Sequence, residues 1–489
     1  MNLHIPFMIP LLTFITLFFL VVNKRIRKPG KLPPGPRKLP IIGNLPHRSL
    51  QKLSQTHGDL MFLQLGFTPL LVISSADKAR DIFKNHDLAF SGRPTLYSFA
   101  KTCYNLSCVS TAPYGAYWRE GRRIIVLEMM TTKRVESFHH IRAEEVGRMV
   151  DFISGAAPDP VDLSSAVFAL SNNVVSRAAF GAAGDGGAGK GRSFKEIFGE
   201  AQSLAGEFNV ADYFPGLGWV NRVNGVDRRI AENRRDLDGF FERVIGEHRD
   251  QTTADSGEGD IIDVLLRVQK ESELTDDQLK AILLDVFVAG TDTSAATIVW
   301  TMTELIRNPT VKRKAQREVR EIAKSKPMVD ESDLPKLTYL KQVIKESFRL
   351  HPPAPLMIPR ETTEPCAIDG GMYHIPAKTR VFFNVAAMSA DPAAWENPRK
   401  FSPERFEESE VDFRGKHFEL LPFGAGRRGC PGINFSIPVV ELAVANLLFR
   451  FDWKLPEGIS AEEVDMNESL GIVMHKKTPL CLIATSVNN

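Results

Sequence analysis

The densest chemistry in the chain lies in Leu421-Pro-Phe-Gly-Ala-Gly-Arg-Arg-Gly-Cys430-Pro-Gly432. A lone cysteine is most often a small buried hydrophobe. This one sits between glycines and a proline, beside Arg427 and Arg428, at the start of an apolar helical run through Val439 to Phe451. A helix N-terminal dipole and neighbouring guanidinium charge both favour the thiolate. Glycines carry no Cβ, so a flat ligand can approach such a loop closely. A thiolate presented this way suits the axial position of haem iron, where sulfur electron density favours cleavage of a bound O–O bond.

A second cluster is Ala289-Gly-Thr-Asp-Thr293-Ser, inside a long helix opened by the capping box Thr275-Asp-Asp-Gln278. Glycine in a helix interior costs about 1 kcal/mol relative to alanine, so Gly290 needs a reason. Thr293 can return its hydroxyl to the Ala289 carbonyl, a bond that bends helices and would open a groove for dioxygen and water. Alone, the segment reads equally as a capped helix with one tolerated glycine. Glu346-Ser-Phe-Arg349 precedes His351-Pro-Pro353, and Glu-x-x-Arg recurs at Glu120/Arg123 and Glu145/Arg148, so spacing alone carries little. His351, flanked by Pro352, reads as a helix-end cap rather than a second iron ligand.

The Cys430 segment resembles the signature of the cytochrome P450 family, Phe-x-x-Gly-x-Arg-x-Cys-x-Gly, at Phe423, Gly426, Arg428, Cys430 and Gly432. The resemblance implies haem b with Cys430 as the axial iron ligand, Phe423 near the sulfur and Arg428 on a propionate. It implies further propionate contacts from Trp118 and Arg122, in Trp118-x-x-x-Arg122, and from Arg360. Asp292 and Thr293 then assist proton delivery to iron-bound oxygen. A structural lock forms from Glu346, Arg349 and Arg405, the last in Pro403-Glu-Arg405-Phe406. Thr111-Ala-Pro-Tyr-Gly-Ala-Tyr-Trp118 is most similar to the plant microsomal branch. The chain departs from the pattern at Ala386 and Ala390, where tryptophan and arginine are common. Gly121 is expected to interrupt the Trp118 helix, and Pro438 to cost about 3 kcal/mol or force a kink.

The elements that must position these residues follow from composition and pattern. The chain has 489 residues, 43% hydrophobic and 25% charged, with a net charge of +2. These are globular proportions, without the positive field of a general nucleic-acid binder. Five cysteines make a disulfide scaffold a poor reading. Ile5 to Val22 is an uncharged apolar run followed by Asn23-Lys-Arg-Ile-Arg-Lys28. Its flanking charges suit a retained membrane anchor over residues 1–23 better than a cleaved signal peptide, with the remainder cytosolic. Residues 24–43 form a basic, proline-rich linker in which Lys31-Leu-Pro-Pro-Gly-Pro36 reads as a stiff spacer. Residues 44–489 are expected to form one haem-thiolate domain, mainly α with small β-sheets. Helical periodicity marks His139 to Ile153, Ser193 to Ala205, Gly225 to Arg249 and Val311 to Lys324. Strand patterns occur near Met61 to Gly66, Leu70 to Ser74 and Arg380 to Asn384. Gly184-Asp-Gly-Gly-Ala-Gly189-Lys190 lacks the final hydroxyl of a phosphate-binding loop, Gly191 standing there, and reads as a surface loop.

No flavin or nicotinamide fingerprint is present, so the resemblance implies electrons from NADPH through a separate cytochrome P450 reductase, with cytochrome b5 a second donor. Arg119, Arg122, Arg123, Lys416 and Arg427 are candidates for a basic docking face at the endoplasmic reticulum membrane. Substrate contacts carried over by position fall in Thr95 to Cys108, Phe208 to Phe214, Val286 to Ala289, Ala354 to Ile358 and Ser469 to Val473. These are mostly apolar and suit a small lipophilic metabolite such as a terpenoid or alkaloid. A haem-thiolate isomerase would need no acid–alcohol pair, and a scaffold would need no reductase; the Asp292-Thr293 pair favours a monooxygenase.

Overall fold

A computed structural model describes residues 31–36, 47–181, 192, 194–251, 259–469 and 471–487. The expected anchor, most of the linker and the glycine-rich 184–190 segment lie outside these. The fold is mainly helical with small sheets, as expected. Leu60–Leu65 and Thr68–Ile73 form a hairpin in which Leu65 faces Thr68. Thr68–Ile73 then pairs in parallel with Arg380–Phe383, which pairs antiparallel with Arg360–Glu361. A three-stranded sheet joins Pro160–Asp162, Cys481–Ser486 and Phe451–Lys454. The Lys31–Pro36 strap is seated on this body rather than standing free. Its Pro34 carbonyl accepts from the Phe62 N–H at 2.9 Å, and its Lys31 carbonyl from the His374 N–H at 3.0 Å.

The hydrophobic core surrounds the helix Asp276–Arg307, which starts at the expected capping box: Thr275 accepts from the Gln278 N–H, and Gln278 accepts from the Thr275 N–H. Leu163–Phe180 crosses it closely. A Cβ on Gly290 would stand 2.9 Å from Val175 Cγ2 of that helix, so the glycine serves helix–helix approach. Ile433–Arg450 packs on another side, with Ser294 Oγ 3.1 Å from Ser436 Oγ. Both Asp276–Arg307 and Ile433–Arg450 are long and apolar enough to cross a membrane, but most of their apolar windows is buried inside the fold.

The four amphipathic patterns appear as His139–Ala156, Phe194–Gly206, Val226–Gln251 and Pro309–Ala323. One expectation fails. Gly121 lies inside the unbroken helix Ala116–Ile124, where a Cβ would meet Val109 Cγ2 at 2.7 Å, so it is a contact glycine. Pro438 sits within a helix that continues to Arg450. His351 does end the Thr338–Leu350 helix through its backbone N–H, but its ring does more. The buried imidazole stacks on Trp300 at 4.1 Å and places Nε2 2.7 Å from Glu304 Oε1.

Glu346, fully buried, accepts from Arg349 Nε at 2.7 Å, Arg349 Nη2 at 2.8 Å and Arg405 Nε at 3.0 Å. Arg349 also donates to the carbonyls of Ser389 and Pro398, each at 2.7 Å. Removing one partner of such a network leaves an uncompensated buried charge and costs about 3–5 kcal/mol. Glu346→Gln should therefore lower unfolding free energy by about that amount in urea titrations of the haem-loaded protein. Glu120→Gln, which breaks a pair 47% exposed at both partners, should shift it by less than about 1 kcal/mol.

Candidate active site

The Cys430 loop is closed by its own backbone. The Cys430 N–H donates to the Phe423 carbonyl at 2.8 Å, and the Gly432 N–H donates to Cys430 Sγ at 3.3 Å. The Phe423 ring is fixed by Phe348 at 5.2 Å and Phe413 at 5.5 Å. Gly426 has φ +65°, and a Cβ there would collide with Asp87 Oδ1 at 2.5 Å. That glycine answers a left-handed turn and a carboxylate. Asp87 in turn accepts from the Arg427 N–H at 3.0 Å. Burial pushes the Cys430 thiol up, offset in part by the Gly432 N–H and the Arg122 charge. The expected help from Arg427 and Arg428 is missing because both are engaged elsewhere.

Arg428 spreads over three carbonyls: Ser91 at 2.9 Å, Val109 at 3.2 Å and Ala112 at 2.7 Å. Its guanidinium lies 4.3 Å from the centre of the Trp118 ring. Arg360, buried, reaches Asp87 Oδ1 at 3.1 Å and the Ala425 carbonyl at 3.0 Å. A third cation, Arg93, was not anticipated. It is 8% exposed and donates to the carbonyls of Ser110, Ile358 and Pro359 at 2.6–2.8 Å. Burial, then Arg428 and Arg360, lower Arg93 well below an ordinary arginine. Burial, then Arg360 and Arg122, pull Arg428 down to about 9. Carbonyls solvate these groups without neutralising them, so the cluster carries a surplus of positive charge. The donor chemistry fits a ligand with two carboxylates beside a cysteine, as a porphyrin with propionates is. Trp118 and Arg122 come from one face of Ala116–Ile124. Half-buried Arg122 is lowered by burial and raised by Cys430, which ties it to the sulfur side.

On Asp276–Arg307 the expected back-bond is present: Thr293 Oγ1 donates to the Ala289 carbonyl at 2.6 Å. Asp292 is turned away into the protein, its Oδ1 2.9 Å from His475 Nε2. One turn before Ala289, Asp285 accepts from the Ser110 hydroxyl and from its N–H at 3.1 Å. Burial lifts this carboxyl to about 6. Ser110 thereby links the long helix to Arg93.

A cavity of 360 Å³ draws on four of the five expected substrate segments, at Leu96 and Phe99, Phe208 and Tyr213, Leu356, and Ile472. Val286 to Ala289 do not line it. Asp212, from the expected Phe208 to Phe214 segment, stands in its wall with charged groups not anticipated, Arg48, Glu207, Arg380 and Glu468. Arg48 and Glu468 close on each other at 2.7 Å. The sequence signal for Arg93 is slight: one arginine in Phe90-Ser-Gly-Arg93-Pro94 with no acid between Asp87 and Glu120.

The sequence model of the family described as Cytochrome P450 matches residues 33–483. Strychnine-11-hydroxylase of Strychnos nux-vomica is 54% identical over 483 residues, covering 96% of this chain and 94% of the relative. Cytochrome P450 71A9 of Glycine max is 53% identical, covering 96% and 98%. Premnaspirodiene oxygenase of Hyoscyamus muticus is 44% identical, covering 93% of each. A solved zebra fish cytochrome P450 structure with progesterone shares the fold with TM-score 0.77 at 24% identity, covering 90% of this chain and 100% of that one. The chain belongs to the cytochrome P450 family and is a monooxygenase.

The cation surplus has a direct consequence. Charge-assisted hydrogen bonds are worth about 1.5–3 kcal/mol. Arg93→Met should therefore release haem to an acceptor globin about ten- to a hundredfold faster than the parent, while Arg93→Lys lies between. Thermal unfolding of the loaded variants separates lost retention from lost folding.

Proposed function

We propose that this chain is a membrane-anchored, haem-dependent monooxygenase that inserts one oxygen atom from O₂ into a small lipophilic specialised metabolite. Cys430 would hold the iron of a bound haem through its sulfur, and Gly426 and Gly432 shape the loop that carries it. Phe423 supports that loop from its outer side. Trp118, Arg122, Arg360 and Arg428, joined by Arg93, hold the two propionates of haem b. The carrying observation is the buried cation surplus beside the Cys430 loop, which suits a ligand that brings carboxylates. Bound haem supplies the reductive activation of O₂, in which a C–H substrate, O₂, two electrons and two protons yield an alcohol and water. Thr293 holds its hydroxyl against the Ala289 carbonyl and would be free to turn it, while Asp292 would supply protons to that hydroxyl.

Electrons come from NADPH through a separate reductase, with cytochrome b5 a second donor. The supporting feature is a shallow concavity formed by Arg119, Arg122, Arg123 and Arg427 with the exposed Val126 and Leu127. Lys416 is not part of it. An anchor in residues 1–23, at the endoplasmic reticulum with the body in the cytosol, follows from the uncharged run and the basic residues after it. Relatives named for strychnine and for premnaspirodiene support a substrate such as an alkaloid or a terpenoid. The cavity floor of Leu65, Leu70, Leu96, Phe99, Phe382 and Ile472 fits an apolar skeleton, and the charged wall fits a polar substituent on it.

The reduced protein should give the carbon monoxide difference band of thiolate-ligated haem, and Cys430→Ser should lose that band and turnover together. Retention of both would exclude Cys430 as the ligand. Doubling ionic strength should slow reduction by an acidic flavoprotein several-fold, since exposed charges are screened within about 10 Å at 0.1 M salt. Arg119→Glu should lower the rate at low salt and flatten the dependence.

A further inference from the structure

Asp292 and Thr293 are consecutive on Asp276–Arg307, yet they face different surroundings. Thr293 is bonded to its own helix, whereas Asp292 is 5% exposed and meets His475 Nε2 at 2.9 Å. The His475 side chain is 36% exposed, so its ring reaches both the buried carboxylate and water. Its position is fixed by its neighbour. The Met474 N–H donates to the Pro353 carbonyl at 2.8 Å, and the Met474 carbonyl accepts from Trp300 Nε1 at 2.8 Å. Trp300 is itself held by its stack on His351, which pairs with Glu304. The His475 carbonyl accepts from the Ser469 N–H at 2.9 Å. Clamped on both sides, the imidazole is delivered to Asp292 rather than left to wander.

Charged groups on the surrounding elements are engaged elsewhere. Glu468 meets Arg48 at 2.7 Å, and Lys476 Nζ donates to the Thr478 carbonyl at 2.9 Å. Asp465 accepts from Thr478 and Asn467, and Glu304 from His351. Imidazole exchanges protons near neutral pH, which neither a guanidinium nor a lysine amine does.

We propose that His475 is the proton-loading and positioning residue of this oxygenase, recharging Asp292 from solvent during turnover. The proposal rests on the reading of Asp292 and Thr293 as the proton relay. In the step, the His475 Nε2–H bond breaks as an Asp292 Oδ1–H bond forms, and the neutral ring takes a replacement proton from water. The protonated carboxyl then turns about its side-chain torsions towards Thr293. No electrons move, and the protons consumed are those that reduction of O₂ requires.

The test uses the full haem-loaded chain with saturating reductase and compares His475→Gln, His475→Arg and Asp292→Asn. Each variant is first shown to keep the carbon monoxide difference band. Unfolding midpoints report the ion pair, and NADPH oxidation in H₂O and D₂O reports proton supply. General acid–base groups contribute about 10²–10⁴-fold, and water replaces part of that, so His475→Gln should slow oxidation about tenfold. Its solvent isotope effect should rise, and its unfolding midpoint should fall. His475→Arg keeps a cation beside Asp292 and should restore the midpoint, yet oxidation should stay slow because a guanidinium does not release its proton. If His475→Arg restores rate and midpoint together, charge pairing alone is the role and the proposal fails. If His475→Gln matches the parent while Asp292→Asn is slow, protons reach Asp292 by another route. If Asp292→Asn leaves rate and isotope effect unchanged, the relay reading beneath the proposal falls instead.

Discussion

Guanidinium groups are costly to bury, and like charges buried together raise that cost further. The centre of this molecule is organised around three that converge, Arg93, Arg360 and Arg428, with Asp87 as the carboxylate among them. Peptide carbonyls satisfy their hydrogen bonds, but dipoles do not cancel net charge. The arrangement is stable with an anion in its midst, and the cysteine loop is anchored to the same groups through Ala425 and Asp87. Ligand retention and loop geometry are therefore one problem, solved by one set of contacts.

A second buried arginine cluster shows the contrast. Around Glu346, the charges of Arg349 and Arg405 are met by a fully buried carboxylate and a ring of carbonyls. That cluster is complete within the chain and locks helix to loop. There one buried carboxylate shared by two guanidiniums acts as a structural fastener. The long helix between these clusters carries both kinds of contact: Gly290 lets Leu163–Phe180 approach, and Ser294 touches the helix that follows Cys430.

Much of this was legible from local pattern. Periodicity placed the amphipathic helices to within a few residues, because burial of one face repeats every turn. The Cys430 signature was readable because its residues are consecutive. What escaped were groups whose meaning is created by distant neighbours. Arg93 gains its role from Arg360 and Arg428, and Asp87 from Gly426. The ring of His351 is defined by Trp300 and Glu304. Physical reasons also shifted: the glycines at 121 and 290 answer Val109 and Val175, and Pro438 is absorbed in a continuous helix. The thiol was expected to be lowered by adjacent arginines, but Arg428 is spent on backbone carbonyls, Arg427 lies towards Asp87, and burial dominates.

The sheet that opens the chain has an implication for how the molecule is made. Thr68–Ile73 finds its parallel partner only at Arg380–Phe383, and the arginine cluster is complete only with Arg428. While a ribosome is still extending the nascent polypeptide, the first hairpin keeps a bare apolar edge through most of translation. The arginine cluster likewise closes only after Arg428 has been made, so long-range pairing comes late in synthesis.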